Sequence, residues 1–304
     1  MPTGVATGIN GSKDPTVLVE LAIGDAYGAG FEYAEASFVA AHNTLTGYVE
    51  HPFHHGLRPG CYTDDTQMSI AIAELLVSAD PWTPENLAER FVAAFRRDER
   101  VGYSRGFYEL LRSVSSGVEL LARVDPRSSR SGAAMRAGPI GVLPEVAEVL
   151  AYAAIQARIT HDTDAGIQAA QAAALAAHYC YHHLGPRSAV ARWVDEELRR
   201  AGGRGGWAEP FSGSVGAEGW MSVRAALTAL GSCPSLSTLL RTCVAYTGDV
   251  DTVATIALAA ASTSSEVHHD LPAVLWNGLE DGTYGRSYLR RLEHRLFSRY
   301  PAAS

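Results

Sequence analysis

The chain has 304 residues, 47% of them hydrophobic, with a formal net charge of -8 and four cysteines. That length and apolar content suit one large domain or two small ones with a sizeable core, and the acidic balance argues against nonspecific nucleic-acid binding. Cys61, Cys180, Cys233 and Cys243 show no metal-ligand spacing and are too few for a disulfide scaffold, so reduced thiols and a cytoplasmic location are expected. The start of the chain lacks a signal-peptide pattern. The Ala-rich run 165–181, interrupted by Gln168, Gln171 and His178, is too short to cross a membrane.

Residues 1–13 are small and polar and read as a flexible N-terminus ahead of a domain over 14–304. Asp14-Pro15 suits the opening of a first helix, with Asp as N-cap and Pro at the first helical position, and Val17, Leu18, Leu21 and Ala22 as its apolar face. The helix runs into Gly24-Asp25-Ala26-Tyr27-Gly28-Ala29-Gly30-Phe31-Glu32-Tyr33, where three glycines in seven residues permit a close backbone approach. Glu32, just after this bend, is either a solvated surface acid or a general base or metal-linked acid. Residues 42–61 carry His51, His54 and His55 among Pro and Gly, and without matching Cys or acid spacing they read as a surface loop rather than a zinc site.

That loop leads into Tyr62-Thr63-Asp64-Asp65-Thr66 and the apolar run Met68–Leu76, which predicts a buried helix over about 64–78 with Thr63 or Asp64 as N-cap. Two adjacent carboxylates beside a hydroxyl exceed what capping or the helix dipole needs. Thr83-Pro84-Glu85 starts the next helix, with Leu87, Phe91, Ala94 and Phe95 facing inward, and Arg96–Arg100 reads as a solvated charged turn. Gly102–Phe107 sets Tyr103 and Arg105 beside glycines, a loop able to grip phosphate or stack a base. The polar loop 125–138, with Arg127, Ser128, Ser129, Arg130, Ser131 and Gly132, can cradle phosphate with its amides.

A helix from Pro144 to about 157 follows, then Thr160-His161-Asp162-Thr163-Asp164, where Thr160, Asp162 and Thr163 can cap a long Ala-rich helix over 164–183. His161 is either structural or a ligand contact, and Asp162 with Asp164 shows that Asp-x-Asp at a helix start need not bind metal. The Gly-rich stretch 201–219 reads as a loop or flap. Helices are expected over 222–230 and Ser235–Ala245. Thr247-Gly248-Asp249-Val250-Asp251-Thr252 then repeats the acid-bearing helix start ahead of Val253–Leu258, and Leu271–Leu279 and Tyr284–Phe297 close the chain as helices. No strand pattern stands out, so an all-α fold is expected. If the two acid-bearing helix starts meet, four carboxylates and two hydroxyls converge. Buried together they require protons or cations, and an all-oxygen set favours a hard ion such as Mg²⁺ or Mn²⁺.

Taken together, Gly24–Gly28 with Glu32, Tyr62–Thr66, Gly132-Ala133-Ala134-Met135-Arg136, Thr160-His161 and Gly248–Thr252, in this order over residues 16–298, resemble the ADP-ribosylglycohydrolase family. The resemblance implies a compact single-domain orthogonal helical bundle with a binuclear metal cleft, holding two Mg²⁺ or Mn²⁺ ions. Thr63, Asp64, Asp65, Asp249, Asp251 and Thr252 match its metal-ligand positions. Glu32 matches a position implicated in catalysis, and Asp65 and Asp249 are the metal-linked acids that can share the proton transfers. Ser128, Ser131, Gly132 and His161 match substrate-contacting segments, and Tyr103 is a candidate for the adenine pocket. The chain departs from the pattern at Arg130-Ser131-Gly132, where the family often has Gly-Asn-Gly, at Arg127-Ser128-Ser129-Arg130, and at Thr247, where it commonly has Gly.

The activity implied is hydrolysis at the anomeric carbon of the ribose that joins ADP-ribose to its acceptor, through an oxocarbenium-like transition state. The expected partner is an ADP-ribosylated protein, with arginine as the first choice of acceptor, ADP-ribose as product, and a monomeric enzyme. Serine, nucleic-acid and small-molecule linkages stay open. The rival readings are an ADP-ribose-binding sensor or immunity protein without turnover, a two-cation phosphoesterase, and a purely structural use of both Asp motifs as caps.

Overall fold

The computed structural model describes residues 16–302. The helix opening expected at Asp14-Pro15 and the segment 1–13 lie outside these residues. In chain order the α-helices are α1 (Leu18–Ala29), α2 (Ala36–His42), α3 (Asp64–Leu76), α4 (Pro84–Arg97), α5 (Arg105–Ser113), α6 (Gly117–Arg123), α7 (Gly132–Met135) and α8 (Val146–Arg158). They continue with α9 (Asp164–Tyr181), α10 (Val190–Arg200), α11 (Gly219–Ser232), α12 (Leu236–Ala245), α13 (Val250–Ala261), α14 (Ala273–Gly278) and α15 (Arg286–Arg299). Among the described residues extended pairing is limited to isolated bridges, so the fold is all-α, as the sequence predicts.

α1 and α13 form the centre. Every residue of both is buried, as expected of helices that are apolar on all faces. They pack against each other along most of their length, with α3 beside α1, and α9, α11 and α12 against α13. Glycine sets how closely they approach. A Cβ on Gly28 would sit 2.5 Å from Asp251 Cα, and one on Gly24 would sit 2.8 Å from the Ala254 carbonyl oxygen. This contact brings the C-terminal end of α1, and the turn that follows it, to the start of α13. Gly28→Ala is expected to force the two backbones apart and cost about 3 kcal/mol or more, an overpacking penalty at the upper end of the usual range because backbone must move. A urea midpoint within experimental error of the parent's would contradict this.

The outer helices are amphipathic. On α4, Thr83 accepts a hydrogen bond from Asn86 N, and Leu87, Phe91, Ala94 and Phe95 turn inward as predicted. At the other end of α1, Glu293 of α15 accepts a hydrogen bond from Leu18 N at 3.0 Å, and burial pushes this carboxyl up to about 8. Two local expectations are corrected. Arg96–Arg100 is not simply a solvated turn. Arg97 pairs with Glu74 at 2.6 Å, and Arg100 pairs with Asp98 at 2.7 Å and with Glu280 while lying 4.0 Å over the Tyr62 ring. Glu280 is distant in sequence, so only the closing of the chain end over this turn supplies the pairing. The loop 42–61 is likewise not all surface, because His51 is buried.

Candidate active site

The site begins with an acid inside α1. Asp25 is wholly buried, and its carboxylate accepts hydrogen bonds from Thr63 N, Thr66 N at 2.9 Å, Thr63 Oγ1 at 2.8 Å and Thr66 Oγ1. The first turn of α3 is therefore capped by a different helix. Thr63 occupies the N-cap position, as predicted, but its hydroxyl donates to Asp25 at 2.8 Å rather than accepting from the first turn of α3. This arrangement releases Asp64 and Asp65 from capping, and both line the central cavity. Asp64 is held through its own N–H to Val101 O at 3.1 Å, and Gly102 packs so tightly on its carboxylate that a Cβ there would lie 2.0 Å from Oδ1. Thr63 sits behind the cavity wall with Asp25.

The second acid-bearing start is fixed by backbone geometry. Gly248 adopts φ +87°, and a Cβ would meet the Val215 carbonyl at 1.9 Å. Val215 N donates to Thr247 O at 2.9 Å and Asp249 N donates to Val215 O at 3.0 Å, so the loop around Val215 clamps the turn. Thr247, at φ +64°, occupies the left-handed region that favours glycine, which is why glycine suits that position elsewhere in the pattern. Asp249 Oδ2 accepts from Ser222 Oγ at 3.2 Å, with further hydrogen bonds from Ser131 and Thr252. Asp251 Oδ1 accepts from Thr252 N at 2.8 Å.

Glu32 joins from the turn after α1. The Tyr33 N–H donates to Gly248 O at 2.8 Å, pinning this turn to the Asp249 loop, and Tyr33 takes φ +50° to do so. His51 braces the same turn. Its Nδ1 accepts from Phe53 N and His54 N, which leaves Nε2–H to donate to Glu32 O at 2.6 Å. As a result Glu32, Asp249 and Asp251 each offer an oxygen, all within 4.8 Å of one another.

The charges acting on this group are mainly its own. Burial, then Asp249 and Asp25, push Glu32 up to about 7. Burial first and neighbouring carboxylates second also hold Asp64, Asp65 and Asp251 well above the usual range. Asp65 Oδ2 is buried with no hydrogen-bond partner. A set of hard oxygen donors, mutually repelling and with one orphaned carboxylate oxygen, fits divalent cations such as Mg²⁺ or Mn²⁺.

The acids form one end of a cavity of about 850 Å³. Ser128, Arg130, Ser131, Gly132, Arg136, Thr160 and His161 also line it, as do Tyr103 and Phe107. Tyr103 is largely buried, with its hydroxyl donating to Gln67 Oε1 at 2.6 Å and Phe107 tilted 5.9 Å from its ring. Ser131 supports Asp249 as well as facing the cavity. Thr160 does not cap α9; Thr163 does, accepting from Gly166 N. Asp162 and Asp164 stay exposed and outside the cavity. Sequence reasoning assigned no role to Asp25, His51, Arg136 or Ser222. For Asp25 there was a signal, an acid inside a helix that is apolar but for it and Glu20. For the other three the partners are far away in sequence.

An all-helical core in which the starts of α3 and α13 and the turn after α1 deliver an oxygen-rich acidic cluster to one deep cavity defines the class of protein. The chain belongs to the ADP-ribosylglycohydrolase family, whose model matches residues 17–304. It is 30% identical over 162 residues to the Homo sapiens ADP-ribosylhydrolase ARH3, covering 47% of this chain and 45% of that protein. It is 28% identical over 137 residues to the Serratia proteamaculans ADP-ribosylarginine hydrolase Tri1, covering 43% of this chain and 36% of that one. The chain thus spans about half or less of the length of the curated relatives it matches. A solved structure titled ADP-ribosylglycohydrolase-related protein complex superposes with a TM-score of 0.69 over 93% of this chain and 95% of its own, at 23% identity, a likeness of fold.

Proposed function

We propose that this protein hydrolyses the glycosidic bond between ADP-ribose and a modified protein side chain, with arginine as the first acceptor to test. The observation that carries this reading is the convergence of Glu32, Asp249 and Asp251 with the orphaned Asp65 oxygen at the head of the cavity. In this reading Asp64, Asp65, Asp249, Asp251 and Thr252, with Thr63 behind them, hold two Mg²⁺ or Mn²⁺ ions. Such ions supply charge that fixes the ribose hydroxyls and lowers the pKa of an attacking water.

The side chains do the rest. Glu32, which lines the cavity beside Asp249 and Asp251, can accept a proton from water or return one to the leaving group. The surrounding carboxylates stabilise positive charge developing at the anomeric carbon. Ser128, Ser131, Gly132 and His161 bind and orient the ADP-ribose, Arg130 at the rim meets the diphosphate, and Tyr103 with Phe107 offers an aromatic wall to the adenine. The similarity to the Serratia ADP-ribosylarginine hydrolase supports the arginine linkage, and free, mostly buried thiols support a reducing compartment such as the cytoplasm.

The test is release of free ADP-ribose from an arginine-ADP-ribosylated protein, followed by mass spectrometry with Mg²⁺ or Mn²⁺ and with a chelator. Metal-dependent release is expected. Binding of ADP-ribose with no release from arginine-, serine- or nucleic-acid-linked substrates would overturn the hydrolase reading in favour of a binding protein.

A further inference from the structure

His161 faces the cavity, and what it offers a ligand depends on which ring nitrogen carries the proton. The structure decides this through a chain of buried groups that begins at Arg136, the C-cap of α7. Arg136 is 1% exposed and, among the described residues, makes no carboxylate ion pair. Its guanidinium lies 4.5 Å over the Phe91 ring, with Nε donating to Gln156 Oε1 at 2.6 Å and Nη2 donating to Gln156 O at 3.0 Å and to Thr160 Oγ1 at 2.9 Å. Gln156 is itself oriented, its Nε2 donating to Ala133 O at 2.8 Å. A guanidinium can only donate. The Thr160 oxygen therefore accepts from Arg136, and its own proton has one partner left, His161 Nδ1 at 2.7 Å.

The opposite arrangement, with Nδ1–H donating to Thr160, would leave a buried hydroxyl proton with no acceptor. Nδ1 is then the acceptor and Nε2 carries the hydrogen. Among the described residues Nε2 has no hydrogen-bond partner, and His161 lines the cavity beside Gly132, where a Cβ would lie 3.3 Å from Nε2. A doubly protonated ring is disfavoured too, since burial and the nearby Arg136 hold this imidazole down to about 3.

We infer that Arg136 and Thr160 are positioning residues that lock His161 as the Nε2–H tautomer, so that the cavity meets a neutral hydrogen-bond donor there and selects a ligand with an acceptor oxygen. The consequence for binding rests on the ADP-ribose reading of the cavity; the tautomer itself does not. α7 and its C-cap thus contribute twice, with Gly132 giving room beside the ring and Arg136 setting its proton.

The experiment is nitrogen NMR of the full chain labelled at histidine, with the His161 signals assigned by their loss in His161→Gln, alongside calorimetric titration with ADP-ribose. The expected wild-type pattern is a protonated Nε2 and an unprotonated, hydrogen-bonded Nδ1. Thr160→Val, nearly isosteric, should give a mixture of tautomers and weaken ADP-ribose binding about tenfold, about 1.4 kcal/mol, and Thr160→Ser should restore both. A wild-type ring protonated at Nδ1, or a Thr160→Val ring unchanged from wild type, overturns the inference. A protonated Nε2 without ADP-ribose binding upholds the lock and overturns the ligand assigned to the cavity. Should Thr160→Val not fold, the wild-type spectrum still decides.

Discussion

Asp251→Asn is expected to lower metal-dependent turnover about a thousandfold, about 4 kcal/mol of barrier, while raising the melting temperature of the protein in chelator. Asp65→Asn should behave in the same way. These opposite signs follow from the site's electrostatics. Burial and the charges of Glu32, Asp65, Asp249 and Asp25 all disfavour an ionised Asp251, so a neutral amide relieves the metal-free fold. The amide keeps the Oδ1 that accepts from Thr252 N, so local structure survives. With Mn²⁺ or Mg²⁺ the order reverses, because the wild type gains binding free energy that the variant has lost.

The same physics predicts a pH dependence. Glu32 is raised from 4.5 to about 7, so its proton is bound more tightly in the folded chain. Its contribution to stability is fully present below pH about 4.5 and is lost as pH rises through about 7. In chelator the melting temperature should fall from about pH 5 to about pH 8, and divalent ions should remove most of that slope. Glu293, raised to about 8 and remote from the cavity, leaves a residual slope that Glu293→Gln should remove. Melts with and without metal across this range, together with ADP-ribose release, check the whole set. A variant less stable than wild type in chelator, or one turning over at wild-type rate, would refute the assignment of these acids to a cation site.

Asp25→Ala is expected to be among the most destabilising single changes in the chain, at about 4 kcal/mol or more. The carboxylate is the acceptor for two backbone N–H groups and two hydroxyls at the start of α3, and alanine leaves all of them buried without it. An unsatisfied buried donor costs about 1–3 kcal/mol, and the hydroxyls can recover part by rotating. Asp25→Asn should fall between, since one amide oxygen can still accept. Thr66→Val, which removes one of the four partners, should cost about 1 kcal/mol. Activity should fall with Asp25→Ala even where the protein is folded, because Asp64 and Asp65 ride on the turn that Asp25 holds. A urea midpoint showing less than about 1 kcal/mol of loss would refute the cap.

Helix positions were largely legible from local pattern. α3, α4, α9 and α13 each pair a turn residue with an apolar run, and these signals operate within one or two helical turns. The capping of α4 by Thr83 and of α9 by Thr163 matched residues read from sequence, while Ser235, read as the first residue of α12, is its cap. The failure at α3 is informative. Thr63 has the right side chain in the right place, yet its hydroxyl is drawn to a charged acceptor 38 residues earlier, which wins over the weaker local bond. His51 and Arg100 escaped for the same reason, since a histidine among prolines and an arginine in a charged run look solvated until Glu32 and Glu280 arrive.

By itself the sequence determined an all-helical chain, two acid-bearing helix starts, and donors of a hardness suited to divalent ions. Each follows from residue type and short-range spacing. The tertiary structure alone decided which acid became a cap and which faced the cavity. It also decided that Glu32 meets Asp249 and Asp251, and that His161 presents Nε2–H. These outcomes depend on the distance between α1 and α13 and on hydrogen bonds between groups far apart in the chain. Helical periodicity orients a side chain about its own axis, while the partner it meets is set by where another helix crosses.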